Sequence, residues 1–143
     1  MTTVAQVLQD KPQHAIHTIA PDETVLKAIS LMADKGIGAL VVTHEDKVVG
    51  ILSERDYTRK IALMERNSFN TTVNEIMTAK VLTITRTATV EDCLELMTDK
   101  HLRHLPVVEN ERLIGLISIG DLVKAAMEDQ KKLIDQLQQY ISG

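Results

Sequence analysis

A glycine, a serine and an aspartate recur twice in this chain with identical spacing, in GILSERD at 50–56 and in GLISIGD at 115–121. A serine at the start of a helix adds a hydroxyl to the unpaired N–H groups and partial positive charge found there, which suits a phosphate oxygen. An aspartate one helical turn later could accept hydrogen bonds from the two vicinal hydroxyls of a ribose. The glycine lets another backbone or a flat ring approach the end of a strand. The pattern is therefore compatible with a nucleotide pocket.

The same residues also have a purely structural interpretation. Ser-x-x-Asp at a helix start is close to a capping box, with aspartate in place of the preferred glutamate or glutamine. A glycine within a strand can simply serve sheet packing. Capping and ligand binding are compatible with each other, so the pattern alone leaves both open.

Other residues that could carry chemistry form weaker patterns. His101 and His104 are close in sequence, but no nearby cysteine or third ligand completes a zinc set, so we predict no metal site. Nothing resembles a nucleophile elbow, and the repeated serines are typical of helix caps. Cys93 falls on the apolar stripe of a predicted helix, which favours a buried hydrophobic side chain over a redox thiol. We therefore predict a protein that is not an enzyme.

Charge and composition exclude several classes of function. The net charge is −4 and aromatic residues make up 2% of the chain, so neither a basic surface nor base-stacking rings are available for nucleic acid. No apolar run approaches the roughly 18 residues of a membrane helix, and the first residues do not resemble a signal peptide. We expect a cytoplasmic protein with an aliphatic core and with no nucleic-acid or membrane partner.

The elements that must position the repeated residues are themselves written twice. Residues 17–64 align with 82–129 without a gap, and thirteen of the 48 pairs are identical, which indicates an internal duplication. Each copy predicts a short strand (Ala15–Ile19; Val81–Ile84), a helix with apolar residues at i, i+3/i+4 and i+7, and then a β-hairpin. A second helix is predicted to begin at the serine that ends each hairpin.

Local signals predict where the first helix of each copy begins and ends. Thr24 and Thr89 are expected N-caps, and Asp92 completes an approximate capping box that Lys27 breaks in the first copy. Gly36 suits the C-cap of the first-copy helix, whereas the second copy has no glycine at the matching position.

These elements predict an α/β fold made of two β-α-β-β-α units. One unit alone would leave an apolar sheet face uncovered, so we expect the two to pack face to face as a pseudo-twofold pair. We assign residues 1–68 to the first repeat with its lead-in, 69–129 to the second repeat and 130–143 to a C-terminal helical extension. The lead-in is also duplicated, as Val4, Val7 and Leu8 against Val73, Ile76 and Met77.

The C-terminal helix outlasts its counterpart in the first copy, and its apolar residues keep helical spacing to the end of the chain. Because this end protrudes beyond the repeat, we expect the apolar stripe to pack against a second subunit in a homodimer. The alternative is that the helix folds back onto its own module.

Taken together, these features resemble a tandem pair of CBS domains, the family named after cystathionine β-synthase. The resemblance rests on the duplicated unit, the lead-in Val73–Met77 (VNEIM), the string Arg103–Val108 (RHLPVV) and the two Gly-x-x-Ser-x-x-Asp endings, and it spans about Val4 to Met127. It implies a compact two-repeat module, the Bateman module, with two related clefts. Such clefts bind adenosine-containing ligands such as AMP, ATP, NAD or S-adenosylmethionine.

The resemblance also implies a role for each matching residue. Asp56 and Asp121 would hold the ribose, and Ser53 and Ser118 would meet the phosphate. The adenine would be clamped by backbone groups and aliphatic side chains of the following residues: Thr18, Ile19, Gly38, Ala39, Leu40, Thr83, Ile84, His104, Leu105 and Pro106.

The two copies differ around these positions. Arg55 stands beside the aspartate of the first copy where the second has Gly120, and Arg103 precedes the string HLPVV where the first copy has Gly38. A guanidinium matches phosphate oxygens, so both arginines are candidate phosphate ligands; the alternative is surface ion pairing. We expect the two clefts to differ in occupancy.

The sequence thus predicts a regulatory, non-catalytic sensor of adenine nucleotides that acts on an unknown effector protein in trans. AMP is the foremost candidate ligand, with NAD or ATP as alternatives, and no catalytic cofactor is expected. The alternative function is a structural or interaction module with degenerate clefts.

Overall fold

The computed structural model describes residues 1–11 and 16–142, so Ala15, at the start of the first predicted strand, lies outside the described residues. The elements in chain order are α1 Val4–Asp10, β1 Thr18–Ile19, α2 Val25–Lys35, β2 Ala39–His44, β3 Lys47–Ser53, α3 Glu54–Tyr57 followed by a π-helical turn Thr58–Ala62, α4 Val73–Ile76, α5 Val90–Lys100, β4 His104–Glu109, β5 Arg112–Ser118 and α6 Ile119–Ser142. Strand β1 is parallel to β2, β2 is antiparallel to β3, and β4 pairs with β5 in a second sheet. The predicted α/β class is confirmed.

Each hairpin turns through two residues in the left-handed region. Glu45 and Asp46 have φ of 52° and 66°, and Asn110 and Glu111 have φ of 51° and 66°. Two successive residues with positive φ give a type I′ turn, whose twist matches that of the flanking strands. The tight turns hold the two hairpins in one geometry, and both β3 and β5 end at a serine.

The predicted helix ends are confirmed. The Thr24 side chain accepts a hydrogen bond from the Lys27 N–H, and Thr89 forms a full capping box with Asp92. Helix α2 ends at Gly36 with φ 64°, as expected for a glycine C-cap. Helix α5 ends in the same left-handed conformation at His101, with φ 56°, although a Cβ is unfavourable there.

The strand predicted at Val81–Ile84 is wrong, because only Ile84 makes a β-bridge, to Val107. The Ile84 N–H donates to Pro106 O (3.0 Å), and the Val108 N–H donates to Ile84 O (3.0 Å). Pro106 stands where the first copy has Val41, and it has no N–H to donate to the preceding residues of this segment. The missing donor accounts for the loss of the strand.

The described chain divides into two compact units that do not follow the order of the repeats. Of the described residues, one unit contains 1–11, 83–108 and 115–142, and the other contains 16–82 and 109–114. Each lead-in therefore belongs to the unit built mainly from the other repeat. The assignment of the sequence repeats to 1–68 and 69–129 remains a prediction.

Backbone hydrogen bonds explain this exchange of lead-ins. In one unit the Val4 N–H donates to Ala88 O (2.8 Å), and the Val90 N–H donates to Thr2 O (3.0 Å). In the other unit, Val73 donates to Glu23 O (2.9 Å), and the Val25 N–H donates to Thr71 O (2.9 Å). Each lead-in thus supplies a carbonyl to the first N–H of a helix, a group that has no partner within the helix itself.

Both units have the aliphatic core that the composition predicts. The unit containing α2 buries Ile19, Val25, Ala28, Met32, Leu40, Val42, Leu52, Ile61, Val73 and Ile76. The unit containing α5 buries Val4, Val7, Val90, Cys93, Met97, Leu105, Val107, Ile117 and Leu122. Burial raises the pKa of Cys93 to about 11, in keeping with its predicted role as a core side chain.

Candidate functional site

The repeated serine and aspartate cap a helix in each unit. The Ser53 N–H donates to Asp56 Oδ2 (3.0 Å), and the Asp56 N–H donates to Ser53 Oγ (3.2 Å). The Ser118 N–H donates to Asp121 Oδ2 (2.9 Å), and the Asp121 N–H donates to Ser118 Oγ (3.2 Å). The capping interpretation is thereby confirmed, and the ribose and phosphate roles of these residues stay a prediction.

Asp121 carries an ion pair that the sequence analysis did not predict. Lys11, which follows α1, places its Nζ 3.0 Å from Asp121 Oδ2 and also donates to Leu116 O (2.7 Å). Burial alone would raise the pKa of Asp121. The hydrogen bond from the Ser118 N–H and the Lys11 ammonium lower it by more than burial raises it, so the pKa lies below its ordinary value. The carboxylate is therefore ionised at neutral pH and able to accept hydrogen bonds.

Asp56 has a different set of neighbours. Thr78 Oγ1 donates to Asp56 Oδ1 (3.4 Å), and Lys60 Nζ lies 3.8 Å from the same oxygen. Lys60 belongs to the π-helical turn after α3, and its ammonium donates to Ile76 O (2.9 Å). The two aspartates therefore have different cations beside them, Lys60 for Asp56 and Lys11 for Asp121.

Two of the segments predicted to clamp an adenine, at Gly38–Leu40 and at His104–Pro106, are joined to the helix starts by a backbone hydrogen bond at Gly38 or at Arg103, the residue before His104. The Glu54 N–H donates to Gly38 O (3.0 Å), and the Ile119 N–H donates to Arg103 O (2.9 Å), which joins each of these segments to the first residue of α3 or α6. Thr18, Gly38, Thr83 and Arg103 are exposed, Ile84 and His104 are half-buried, and Ile19, Ala39, Leu40, Leu105 and Pro106 are buried.

Burial limits what the two leucines of this set could contribute. Leu40 and Leu105 are 0% exposed, so their side chains contact the core rather than an open surface. Both residues are buried as a whole, backbone included, so their contact with an adenine stays a prediction. Burial also lowers the pKa of His104, and Lys11 lowers it further, so its imidazole is mainly neutral at pH 7.

Arg55 and Arg103 are both exposed. Among residues 1–11 and 16–142, neither guanidinium forms an ion pair. The alternative role for these arginines, surface ion pairing, is therefore not observed in the described part of the chain. Their contact with phosphate stays a prediction.

The two motif glycines are covered by the lead-ins. A Cβ on Gly50 would overlap Met77 Sδ and lie 3.1 Å from Thr78 O, and a Cβ on Gly115 would lie 2.6 Å from Leu8 Cδ2. The element that packs closely against each motif glycine is therefore a lead-in. This contact explains both glycines without a ligand.

Two of the cavities adjoin predicted site residues. A cavity of about 460 Å³ lies between α1 and α6, and both Lys11 and Asp121 line it. A second cavity of about 540 Å³, in the other unit, is lined by Thr18 and Ile19. Both volumes lie within the range usual for small-molecule sites.

Lys11, Lys60 and Thr78 are the neighbours of the aspartates that sequence reasoning missed. One signal was present, because Lys11 and Lys80 occupy matching places after the two duplicated lead-ins. That signal marks a repeated lysine but does not say which aspartate it meets.

Two further properties concern the described residues. No helix among them is long and apolar enough to cross a membrane. No group of three His, Cys, Asp or Glu side chains within 1–11 and 16–142 lies close enough together to hold a metal ion. The cytoplasmic location stays a prediction.

Comparison with known proteins gives consistent matches. The family model for the CBS domain matches residues 4–63 and 73–128. The CBS domain-containing protein CBSX3, mitochondrial, of Arabidopsis thaliana is 37% identical over 150 residues, which cover 99% of this chain and 73% of the relative. A solved structure of a protein with CBS domains from Burkholderia ambifaria MC40-6 has a TM-score of 0.86 and 52% identity, covering 90% of this chain and 96% of that one.

A solved structure of CBSX2 in complex with AMP has the same fold. Its TM-score is 0.76 at 23% identity, and the match covers 90% of this chain and 98% of that one. At this identity the likeness concerns the fold alone.

Proposed function

This chain belongs to the CBS domain family, and from that membership we propose that it is a regulatory, non-catalytic protein that senses adenine nucleotides through two Ser-Asp clefts. One observation carries the proposal. In both units a half-buried aspartate is held at a helix start by a serine and lies near a lysine ammonium. An ionised carboxylate offers about four acceptor positions, and capping uses only part of them. The remainder could accept the two hydroxyls of a ribose.

AMP is the first ligand to test, because the structure of CBSX2, which has the same fold, is a complex with AMP. A bound nucleotide would regulate the protein only by binding one conformation more tightly than another. The output would then pass to an effector protein in trans.

A thermal-shift assay with AMP, ATP, NAD and S-adenosylmethionine tests the function. A ligand at 100 times its Kd should stabilise the protein by about 2.7 kcal/mol. Calorimetry on Asp56→Ala and Asp121→Ala then tests the sites, since each should lose about 1.5–3 kcal/mol of binding free energy in one cleft. Asp99→Ala, at an exposed position of α5, is the control. Unchanged affinity in both site variants would refute the assignment.

A second candidate function is an interaction module whose clefts no longer bind nucleotide. The observation that favours it is that Asp121 is already paired with Lys11, while Leu40 and Leu105 are wholly buried. The same thermal-shift assay separates the two functions. Stabilisation by none of the four ligands would favour the interaction module.

The apolar stripe of α6 supports a homodimer. Met127, Tyr140 and Ile141 are 65%, 84% and 82% exposed, and they share this stripe with Val123, Leu133, Ile134 and Leu137, which are also exposed. A helix with an uncovered apolar face gains little stability by itself in water, so a second copy that covers it would stabilise both helices.

Light scattering tests the dimer. Truncation after Gln130, or Leu137→Asp within the stripe, should lower the mass of the particle in solution. Gln139→Asp, which lies on the opposite face of α6, is the matched control. A mass that neither stripe variant changes would contradict a dimer formed through this helix.

A further inference from the structure

Lys11 is held in place by its own unit. Its ammonium donates to Leu116 O (2.7 Å) and lies 3.0 Å from Asp121 Oδ2. The Lys11 side chain is 29% exposed and that of Asp121 is 21% exposed, so the pair is partly shielded from solvent. An ammonium has three N–H donors, and these two acceptors account for two of them. Among residues 1–11 and 16–142 no third acceptor contacts Lys11, so within this part of the chain one donor remains for a ligand, on a cation whose position is already set.

The other unit lacks this arrangement. Lys60 Nζ lies 3.8 Å from Asp56, and its side chain is 40% exposed. The residue after the lead-in that matches Lys11 is Lys80, which is exposed. The lead-in contacts Asp56 through the neutral hydroxyl of Thr78 instead. A closely held cation beside the aspartate is thus a property of the cleft at Asp121.

The cavity beside Lys11 limits which anion would fit. Its volume is about 460 Å³, and it is lined by three lysines, Lys11, Lys124 and Lys132, and by four acidic residues, Asp10, Asp121, Glu128 and Asp129. The acidic residues offset the lysines around most of the wall. The four carboxylates outnumber the three ammonium groups, so a phosphate would be stabilised only in direct contact with Lys11, and a longer polyphosphate would meet carboxylates.

We propose that Lys11 is a specificity-determining residue of the cleft at Asp121, which makes this cleft select a nucleoside monophosphate over the uncharged nucleoside and over the triphosphate. Asp121 accepts from the ribose hydroxyls, and the third N–H of Lys11 donates to a phosphate oxygen. This inference rests on the proposed nucleotide-sensing function and extends it to the ligand class of one cleft.

Calorimetry in an Asp56→Ala background, which leaves only the cleft at Asp121, tests this role. AMP should bind at least about tenfold more tightly than adenosine, the lower end expected for a charged hydrogen bond, and ATP should bind no more tightly than AMP. Lys11→Met should reduce the preference for AMP, with Ser118 and Arg103 left as predicted phosphate contacts, while leaving adenosine affinity within about threefold. Lys11→Arg should retain part of the preference, because it keeps the charge.

Lys80→Met, at the matching place in the other lead-in, is the control and should change neither affinity. Equal losses of AMP and adenosine affinity in Lys11→Met would overturn the inference, because Lys11 would then act only as a scaffold for α1. ATP binding tenfold more tightly than AMP would also overturn it. If the wild-type chain binds none of AMP, ATP, NAD and S-adenosylmethionine, the proposed function fails and this inference fails with it. If it binds one of the other three but not AMP, only this inference fails. If AMP and adenosine both bind and Lys11→Met leaves the ratio of their affinities unchanged, only this inference fails.

Discussion

Replacing Gly115 with alanine should destabilise the protein by about 1–3 kcal/mol, the usual range for an extra methyl in a packed site. The new Cβ would lie 2.6 Å from Leu8 Cδ2 and 3.0 Å from Leu8 Cδ1. Both clashes involve branches of one leucine, so relief requires a new Leu8 rotamer or a shift of α1. Urea denaturation measures the loss as a change in the free energy of unfolding.

A double-mutant cycle with Leu8→Ala identifies the cause. The added methyl would enter space that the smaller side chain leaves, so the double variant should be more stable than the sum of the single losses predicts, by about 1 kcal/mol or more. Gly38→Ala is the control, because within the described part of the chain no heavy atom other than those of its chain neighbours lies within 4 Å of its Cβ position, and it should stay within about 0.5 kcal/mol of wild type. The reasoning would be refuted if Gly115→Ala left the free energy of unfolding unchanged. It would also be refuted if the losses of Gly115→Ala and Leu8→Ala simply added in the double variant.

Gly50 extends the test to the other unit. Its added Cβ would meet Met77 Sδ and also a backbone oxygen, Thr78 O at 3.1 Å. Met77→Ala should therefore rescue Gly50→Ala only in part, because the backbone oxygen stays in place. Complete rescue would show that the backbone at Thr78 moves aside easily, despite its two hydrogen bonds to Ile51.

Three further predictions concern single residues. Cys93, buried and with its pKa raised to about 11, should react with a thiol reagent at pH 8 only after unfolding, and rapid labelling of the native protein would contradict its burial. The lowered pKa of Asp121 means that its ionised form stabilises the fold above the unfolded pKa of about 4, and that this contribution is lost as pH falls through the folded value. Melting temperatures against pH should therefore fall less steeply in acid for Asp121→Asn than for wild type, and parallel curves would count against it. His101→Gly should stabilise the protein by up to about 1 kcal/mol, since His101 has φ 56°, whereas Gly36→Ala, at φ 64°, should destabilise it; equal effects would exclude left-handed strain as the cause.

Much of the secondary structure follows from the sequence because its determinants are local. The caps at Thr24, Thr89 and Gly36 depend on residues within one helical turn, and the hairpins depend on their own turns. The capping role of the Ser-x-x-Asp motifs was predictable for the same reason. The failed strand at Val81–Ile84 marks the limit of this reasoning, since its pairing depends on a distant residue, Pro106, that lacks a donor.

The surroundings of the two aspartates depend on residues far away in the chain, so local spacing could not predict them. Lys11 is 110 positions from Asp121 and Thr78 is 22 positions from Asp56, yet each contacts its aspartate because a lead-in packs on the other repeat. The duplicated sequence predicts two similar clefts, each with a serine and a carboxylate at a helix start. Only the tertiary structure decides which lead-in covers which glycine and which lysine meets which carboxylate, because those contacts form between segments that the chain separates.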